Sequence, residues 1–379
     1  MINKKISFLF VSCILFSSLK GYHFFSEKRA SVLKKNETDI TTVSQQIKNT
    51  LTFPGSNNYS LVMQDDFNGQ VLDIKKWQYY EENTIRGFGK ILRSNVEVSK
   101  GTLKLFAKRT AGLLGTDEFS SGMLSTQHSL NQKYGYFEIR AKVNQQTGPH
   151  CAFWLLQHSV GVVNYVPNPS VFGAEIDVFE YHRATGTENL YFTLHWNGYN
   201  FSNDSHRKVS STAFIPGIAD GFHLFGLEWT PKEYIVYIDG VEKARTSIAV
   251  SHVPEFLILS TEIVGFGGDR FQMSSTTPDV FEVDYIKVFA RNPSVTIYGD
   301  NDYYGWVSDG LIPGAYTTSA LAKSGVIFND ASSIEVPKGW KVVAYDKDNF
   351  KGDSVVITTD ARSAGGFDNK LSSIKITDK

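Results

Sequence analysis

The chain has 379 residues, with 38 basic against 39 acidic side chains and a formal net charge of −1, so its electrostatics give no reason to expect nucleic acid or an anionic membrane as partner. That length leaves room for two domains and a large core, and an aromatic content of 13% suits both β-strands and stacking on sugar rings. Of the two cysteines only Cys151 would outlast removal of a leader, which excludes an internal disulfide and leaves stability to the core.

Residues 1–21 read as a secretory signal. Lys4 and Lys5 precede an apolar run from Ile6 to Leu19 of about fourteen residues, shorter than the roughly twenty that cross a bilayer. An uncleaved anchor or lipid attachment at Cys13 is the alternative. The expectation is a secreted or extracellular monomer, with the periplasm or a cell-surface anchor as variants and no membrane contact after cleavage. Residues 22–59 are polar and irregular and read as a linker. From Ser60 short strand patterns recur, over 102–108, 135–143, 152–157, 175–181, 190–196, 223–229, 234–238, 256–263 and 280–289. Turn signals such as Asp239-Gly240 separate them, and no long stretch carries helical periodicity. An all-β sandwich is expected over 60–291.

Within that sandwich one segment carries chemistry, Glu175-Ile-Asp177-Val-Phe179-Glu180. Strand alternation puts Glu175 and Asp177 on one face and Ile176 and Val178 on the other. Glu180 falls out of step by one residue, and a β-bulge at Val178-Phe179 would return it to the carboxylate side. The plainer reading is a strand with one face in water. Three carboxylates crowded together repel, however, and such crowding drives their pKa values apart. Glycosidic bond cleavage needs that outcome, one acid ionised as nucleophile and one protonated as general acid, at about 5 to 5.5 Å in a retaining site. Further candidates lie on neighbouring strands. Glu138 and Arg140 alternate with Phe137 and Ile139 and so face away from the core, where a cross-strand ion pair is the plain alternative to a sugar contact. Trp154 suits core or sugar platform equally. His195, beside Trp196, follows the acid strand by one short connection and is placed to bond a carboxylate or a hydroxyl.

The run from Glu175 to Glu180 resembles the bulged active-site signature of glycoside hydrolase family 16, the group of laminarinases, agarases, carrageenases and lichenases. Asp66-Phe67, Leu72-Asp73-x-x-x-Trp77, Glu228-Trp229-Thr-Pro and Phe281-Glu-Val-Asp284 extend the resemblance across 60–291. It implies a concanavalin-like β-jelly-roll of two curved antiparallel sheets with a sugar chain in the concave face. By position it implies Glu175 as nucleophile, Glu180 as general acid/base and Asp177 as the carboxylate that tunes them, with no cofactor for catalysis. It also raises Glu138, Arg140, Trp154, His195, Trp196 and Glu262 as substrate contacts. The implied activity is endo-hydrolysis of a polysaccharide, a β-1,3- or mixed-linked glucan or a galactan. A transglycosylase would keep the same acids, and a lectin-like binding protein would share the fold but has no use for Glu180 after a bulge. Two departures stand out: Glu262 occupies a position where many members have an amide, and Gly173 one where lichenase-like members often have Trp.

Residues 294–379 contain an internal repeat. Tyr298-Gly-Asp-Asn-Asp-Tyr303-Tyr-Gly305 matches Tyr345-Asp-Lys-Asp-Asn-Phe350-Lys-Gly352, and Phe328-Asn329-Asp330-Ala-Ser332-Ser333 matches Asp368-Asn369-Lys-Leu-Ser372-Ser373. This resembles a βγ-crystallin domain of two Greek keys, a smaller unit after the jelly-roll. The resemblance implies calcium held by Asp368, Asn369 and Ser372, and at a second site by Asn329 and Ser332, where Phe328 departs from the pattern. Oxygen donors of this kind suit a hard cation; a metal-free fold in which they only make turns is the alternative. Since the sandwich closes at Val288-Phe289, this unit is expected to be dispensable for chemistry.

Overall fold

The computed structural model describes residues 56–113, 116–163, 166–184, 188–199 and 205–378, so the leader over 1–21 and most of the linker over 22–59 lie outside the described residues. Strand alternation sorts the remaining chain into two sheets. One has eleven strands, with Tyr59–Asp65, Thr102–Thr110, Gly135–Lys142, His223–Trp229 and Asp279–Arg291 near its centre. The other has seven, in the order Arg207–Phe214, Asn189–Trp196, Glu175–His182, Pro149–Leu156, Phe256–Ile263, Met123–Ser125 and Gln78–Tyr79. Every pairing in the seven-stranded sheet is antiparallel.

The core lies between the sheets. Phe137, Ile139, Phe225, Phe281 and Val283 from the larger sheet meet Ile176, Val178, Phe179, Leu190, Leu257 and Leu259 from the smaller. Phe179 stacks on Phe225 with ring centroids 4.0 Å apart, and burying an aromatic of this size is worth about 1.5 to 3 kcal/mol. The lone described cysteine, Cys151, is fully buried here, and burial pushes its thiol up. This is the all-β sandwich expected from the strand pattern and the two-sheet jelly-roll that the family resemblance implies. Among the described residues no helix is long and apolar enough to cross a membrane.

The bulge falls where the carboxylate spacing requires it. Against the strand Asn189–Trp196, Asp177 pairs with Thr193 and Glu180 with Tyr191, so three steps on one strand answer two on the other. Val178 and Phe179 both enter the core as a result, and Glu180 turns to the opposite face. Gly173, just upstream, has φ 84°, and a Cβ there would lie 2.6 Å from the Gln157 Cβ. Tryptophan at this position is excluded by backbone and by space, which accounts for that departure.

Residues beyond 294 build a four-stranded sheet in the order Gly314–Tyr316, Ser373–Thr377, Lys341–Lys347, Lys351–Ile357, and a two-stranded one of Thr296–Tyr298 with Ser333–Glu335. They bury a separate apolar cluster that includes Val295, Ile297, Val342, Ile374 and Ile376. The internal repeat recurs as repeated bonds. Ser333 Oγ donates to Asp300 O at 2.6 Å and accepts from Tyr303 N at 3.1 Å, while Ser373 Oγ donates to Lys347 O at 2.8 Å and accepts from Phe350 N at 3.0 Å. Asp302 and Asn349 adopt the same left-handed conformation, at φ 56° and 55°.

This unit meets the sandwich through buried polar groups. Glu335 is 5% exposed and accepts from Lys133 Nζ at 2.7 Å, Tyr134 OH at 2.9 Å and Tyr298 OH at 2.5 Å. The Tyr134 hydroxyl also meets His252 Nδ1, and burial lowers that imidazole to about 3, so it is neutral.

Candidate active site

Alternation on three adjacent strands furnishes one polar face of the seven-stranded sheet. Glu175, Asp177, Glu180 and His182 come from the acid strand, Tyr191, Thr193 and His195 from the strand on one side, and His150, Ala152 and Trp154 from the strand on the other. With Arg86, Lys208, Glu262 and Phe266 they line an open cleft of about 720 Å³.

Each acid has its own support. Tyr199 OH donates to Glu175 Oε2 at 2.5 Å. Glu180 accepts from Thr193 Oγ1 at 3.0 Å, and its other oxygen lies 3.2 Å from His150 Nε2. Asp177 Oδ2 lies 3.5 Å from His195 Nε2, and the far nitrogen of that ring is 2.8 Å from His206 Nε2. Glu262 is 5% exposed and pairs with Arg86, Nε to Oε2 at 2.8 Å, while the Arg86 guanidinium lies 5.7 Å from the Trp154 ring centroid. The charge at position 262, where an amide is common, is thus neutralised from within the cleft.

So many carboxylates in one hollow cannot all ionise. Burial pushes the Glu175 carboxyl up to about 7, opposed by the Tyr199 hydrogen bond and the Arg86 charge and reinforced by Glu180. Burial and then the Glu175 and Glu180 charges push Asp177 well above the usual carboxylate range. Glu180 is buried too, but the His150 contact and the Thr193 hydrogen bond outweigh burial and hold it low. His195 is lowered to about 4 by burial and then by His206, so it faces Asp177 as a neutral ring. The resting cleft therefore holds its protons on Asp177 and Glu175 ahead of Glu180.

The structure brings together Glu175, Asp177, Glu180, Trp154, His195 and Glu262 from the sequence candidates. It separates the other three. Glu138 and Arg140 do face away from the core, but on the larger sheet, whose outer face is not the cleft. Glu138 is buried there under Tyr136 and Tyr285, whose hydroxyls reach it at 3.3 and 2.9 Å, and Arg140 pairs with Asp284 at 2.8 Å. Trp196 packs on the core, because its neighbour His195 takes the cleft face. Sequence reasoning missed Arg86, His150, Thr193, Tyr199, Lys208 and Phe266. Alternation back from His195 reaches Thr193 and Tyr191, and alternation back from Trp154 reaches His150, so those were readable. Arg86 arrives on the two-residue edge strand Ile85–Arg86 and Phe266 on a single 3-10 turn, Gly265–Gly267, both too short to carry a periodic signal. Phe266 is 55% exposed and stands edge-on to His150 and His182, with His182 stacked flat on Tyr191, so an aromatic wall rises beside Glu180.

Among the described residues, one group of acids and imidazole in the cleft could offer donor atoms to a metal. Glu175, Asp177 and His195 offer atoms within 4.8 Å of one another, the spacing of a hydrogen-bonded acid cluster as much as of a metal site. In the C-terminal unit Ser372 Oγ lies 3.2 Å from Asn329 Oδ1 and 2.9 Å from Asp346 O, and Asp368 Oδ1 is buried without a hydrogen-bond partner. The three oxygens around Ser372 are of the kind that suits a hard cation, and so is the unpartnered Asp368 Oδ1. Ser332 holds the matching place in the first repeat, its N–H donating to Tyr298 O at 3.0 Å as that of Ser372 donates to Tyr345 O at 2.9 Å. Asn369 stands beside Asp368 in the left-handed region at φ 55°, as Asn329 does at 52°.

Comparison with known proteins agrees with this geometry. The chain is 25% identical over 287 residues to the endo-1,3-1,4-β-glycanase EglC of Rhizobium meliloti (strain 1021), a match covering 71% of this chain and 57% of that protein. Its fold is similar to that of the catalytic domain of an endo-1,3-β-glucanase (laminarinase) from Thermotoga petrophila RKU-1, with TM-score 0.50 and 26% identity, covering 62% of this chain and 98% of the solved one. A stretch of 83 residues is 36% identical to Development-specific protein S of Myxococcus xanthus, 22% of this chain and 47% of that protein. The chain spans 34% to 57% of the length of the glycanases and glucosidase it matches first in sequence. The family described as Glycosyl hydrolases family 16 matches residues 92–286, and with the bulged acid strand inside that span the chain belongs to this family.

Proposed function

We propose that the chain is an endo-acting retaining glycosidase that cleaves internal β-linkages of a polysaccharide, with a β-1,3- or mixed-linked glucan as its first substrate class and a galactan as the second. The observation that carries this is the bulged strand, which turns Glu175, Asp177 and Glu180 onto one face of an open cleft. In this reading the Glu175 carboxylate attacks the anomeric carbon while Glu180 gives its proton to the departing glycosidic oxygen. A water that returns its proton to Glu180 then attacks the same carbon and frees Glu175. Protonated Asp177 donates toward the nucleophile and keeps it ionised. The protein groups of the cleft by themselves hold Glu180 low and Glu175 high, the reverse of what the first step needs. A bound sugar supplies the change: its hydroxyls hydrogen-bond the Glu175 carboxylate and stabilise it, and its exclusion of water raises Glu180.

Support for a glucan comes from the relatives, which are named for 1,3- and 1,3-1,4-linked substrates. A reducing-sugar screen over laminarin, lichenan, agarose and a galactan tests the substrate class, and release of short oligomers before monosaccharide tests endo action. Azide rescue tests the roles. Glu175→Ala should give the α-glycosyl azide from an activated substrate and Glu180→Ala the β product; the opposite pairing would exchange the two assignments.

We propose further that residues 294–379 form a βγ-crystallin-like unit of two Greek keys that binds calcium, supported by the repeated serine bonds, by the oxygens of Asn329 and Asp346 gathered at Ser372, and by the unpartnered buried Asp368 Oδ1. The ion would stabilise the fold and take no part in bond cleavage. Export is read from the N-terminal apolar run, and a monomer is the expected state.

A further inference from the structure

Two routes of contact lead from the C-terminal unit to the residue before Glu175. The first begins at the buried Glu335, which binds Lys133 and Tyr134 at 2.7 and 2.9 Å. One residue earlier, Gln132 pairs backbone to backbone with Glu255, N to O at 2.9 Å and the reverse at 3.1 Å. Glu255 is 1% exposed, and its Oε1 accepts from Ala174 N at 3.0 Å. His252, packed edge-on to Tyr298 at 5.2 Å, stands on the same connection three residues before Glu255. The second route begins at Tyr304, whose hydroxyl donates to Asn168 Oδ1 at 2.9 Å. Asn168 starts the short helix Pro169–Phe172, and the chain then passes through Gly173 and Ala174 into Glu175.

We propose that Tyr304 and Glu335 are positioning residues for Glu175, so that the C-terminal unit is a working part of the active centre and not a separable attachment. The chemistry favours this over simple docking. A loose tether needs no buried charge, yet Glu335 is held under the interface by an ammonium and two phenols. The peptide that leads into the nucleophile has one face fixed by the sandwich, through Glu255, and its approach fixed by the C-terminal unit, through Asn168. A nucleophile on a strand end is sensitive to such support, since a shift of about 1 Å can cost on the order of a hundredfold in rate. The same contacts run counter to the expectation that the unit is dispensable for chemistry.

The proposal rests on Glu175 being the nucleophile, and the test separates the two. Tyr304→Phe, Glu335→Gln and the double variant are made in the full chain and assayed on a soluble glucan, each well below its own melting temperature. The double variant is expected to lose about tenfold in kcat with KM within about twofold of the parent, and Tyr304→Phe alone about threefold in kcat. A double variant that melts lower but turns over at the parental kcat would overturn the proposal, leaving the interface as a stabiliser only. If the double variant does not fold, Tyr304→Phe decides the matter by the same kcat criterion. Azide rescue of Glu175→Ala in the otherwise native chain is run beside them. Failure to form the α-glycosyl azide removes the nucleophile assignment, and success with an unchanged Tyr304→Phe kcat removes only the positioning role.

Discussion

Glu255 sits fully buried, and burial pushes its carboxyl from the ordinary 4.5 up to about 8. Its Oε1 accepts the Ala174 N–H, and its Oε2 has no hydrogen-bond partner. A carboxyl raised on folding contributes stability that is present below its unfolded value and lost as pH climbs through its folded value. The loss therefore runs from about pH 4.5 to about pH 8. At about 1.4 kcal/mol per unit the full span is roughly 4 to 5 kcal/mol. Glu255→Gln keeps an oxygen for Ala174 and cannot ionise. The unit from Asn57 to Lys379 is about 320 residues, and at about 2.1 cal/mol/K per residue its unfolding entropy near the midpoint is about 0.7 kcal/mol/K. The variant should thus melt within about 2 to 3 °C of the parent at pH 5 and gain on it by roughly 5 °C by pH 8.5. Scanning fluorimetry of both proteins at half-unit steps reads the difference, in which the titration of Glu175 and Asp177 cancels. A gap that stays constant across the range would show that Glu255 is ionised in the fold and refute the reasoning.

Other outcomes follow from the cleft and the core. Glu175→Gln and Glu180→Gln should each lower turnover by at least about 10² while the protein stays folded by circular dichroism, and retention of a tenth of the parental rate would count against the role. Tyr199→Phe removes a donor that holds Glu175 down, so the acidic limb of kcat/KM, expected near pH 7 from the Glu175 value, should move up by about one unit; an unmoved limb means another group governs it. Calcium should stabilise the full chain relative to chelator by about 2.7 kcal/mol at a hundredfold excess over Kd, read as a higher melting temperature, and Asp368→Ala with Ser372→Ala should abolish the gain. Phe179→Ala empties the stack on Phe225 and should cost about 3 to 5 kcal/mol by denaturant titration.

Much of this was legible in the chain because two-residue alternation is a direct record of which face each side chain takes. The strand over 175–181 and its bulge could be read from the misfit of one glutamate, since a register slip has no other means of repair in a strand whose far face is core. Pairing of strands distant in sequence was not legible. Glu138 and Arg140 show why: alternation says that they leave the core, but a sandwich has two outer faces, and only the fold tells which one is the cleft. Arg86 shows the converse. It belongs to a two-residue edge strand, Ile85–Arg86, too short to show periodicity, and reaches Glu262 across 176 positions of sequence. The polar joint at Glu335 was hidden for the same reason, because a glutamate in a short strand gives no sign of the lysine and tyrosine it will be buried against.

The single thiol inside the sandwich gives the molecule an internal clock. Cys151 lies on the strand Pro149–Leu156, between the strand that carries the acids and the strand Phe256–Ile263. It has no exposed surface, and burial suppresses its thiolate, the form that reacts. A thiol reagent can capture it only when the core packed against the middle of the seven-stranded sheet opens. The rate of labelling then counts openings of the core against the sheet that forms the cleft floor, under native conditions and with no probe added to the chain. Substrate that braces this sheet should slow the clock, and fraying confined to the outer strands should leave it unchanged.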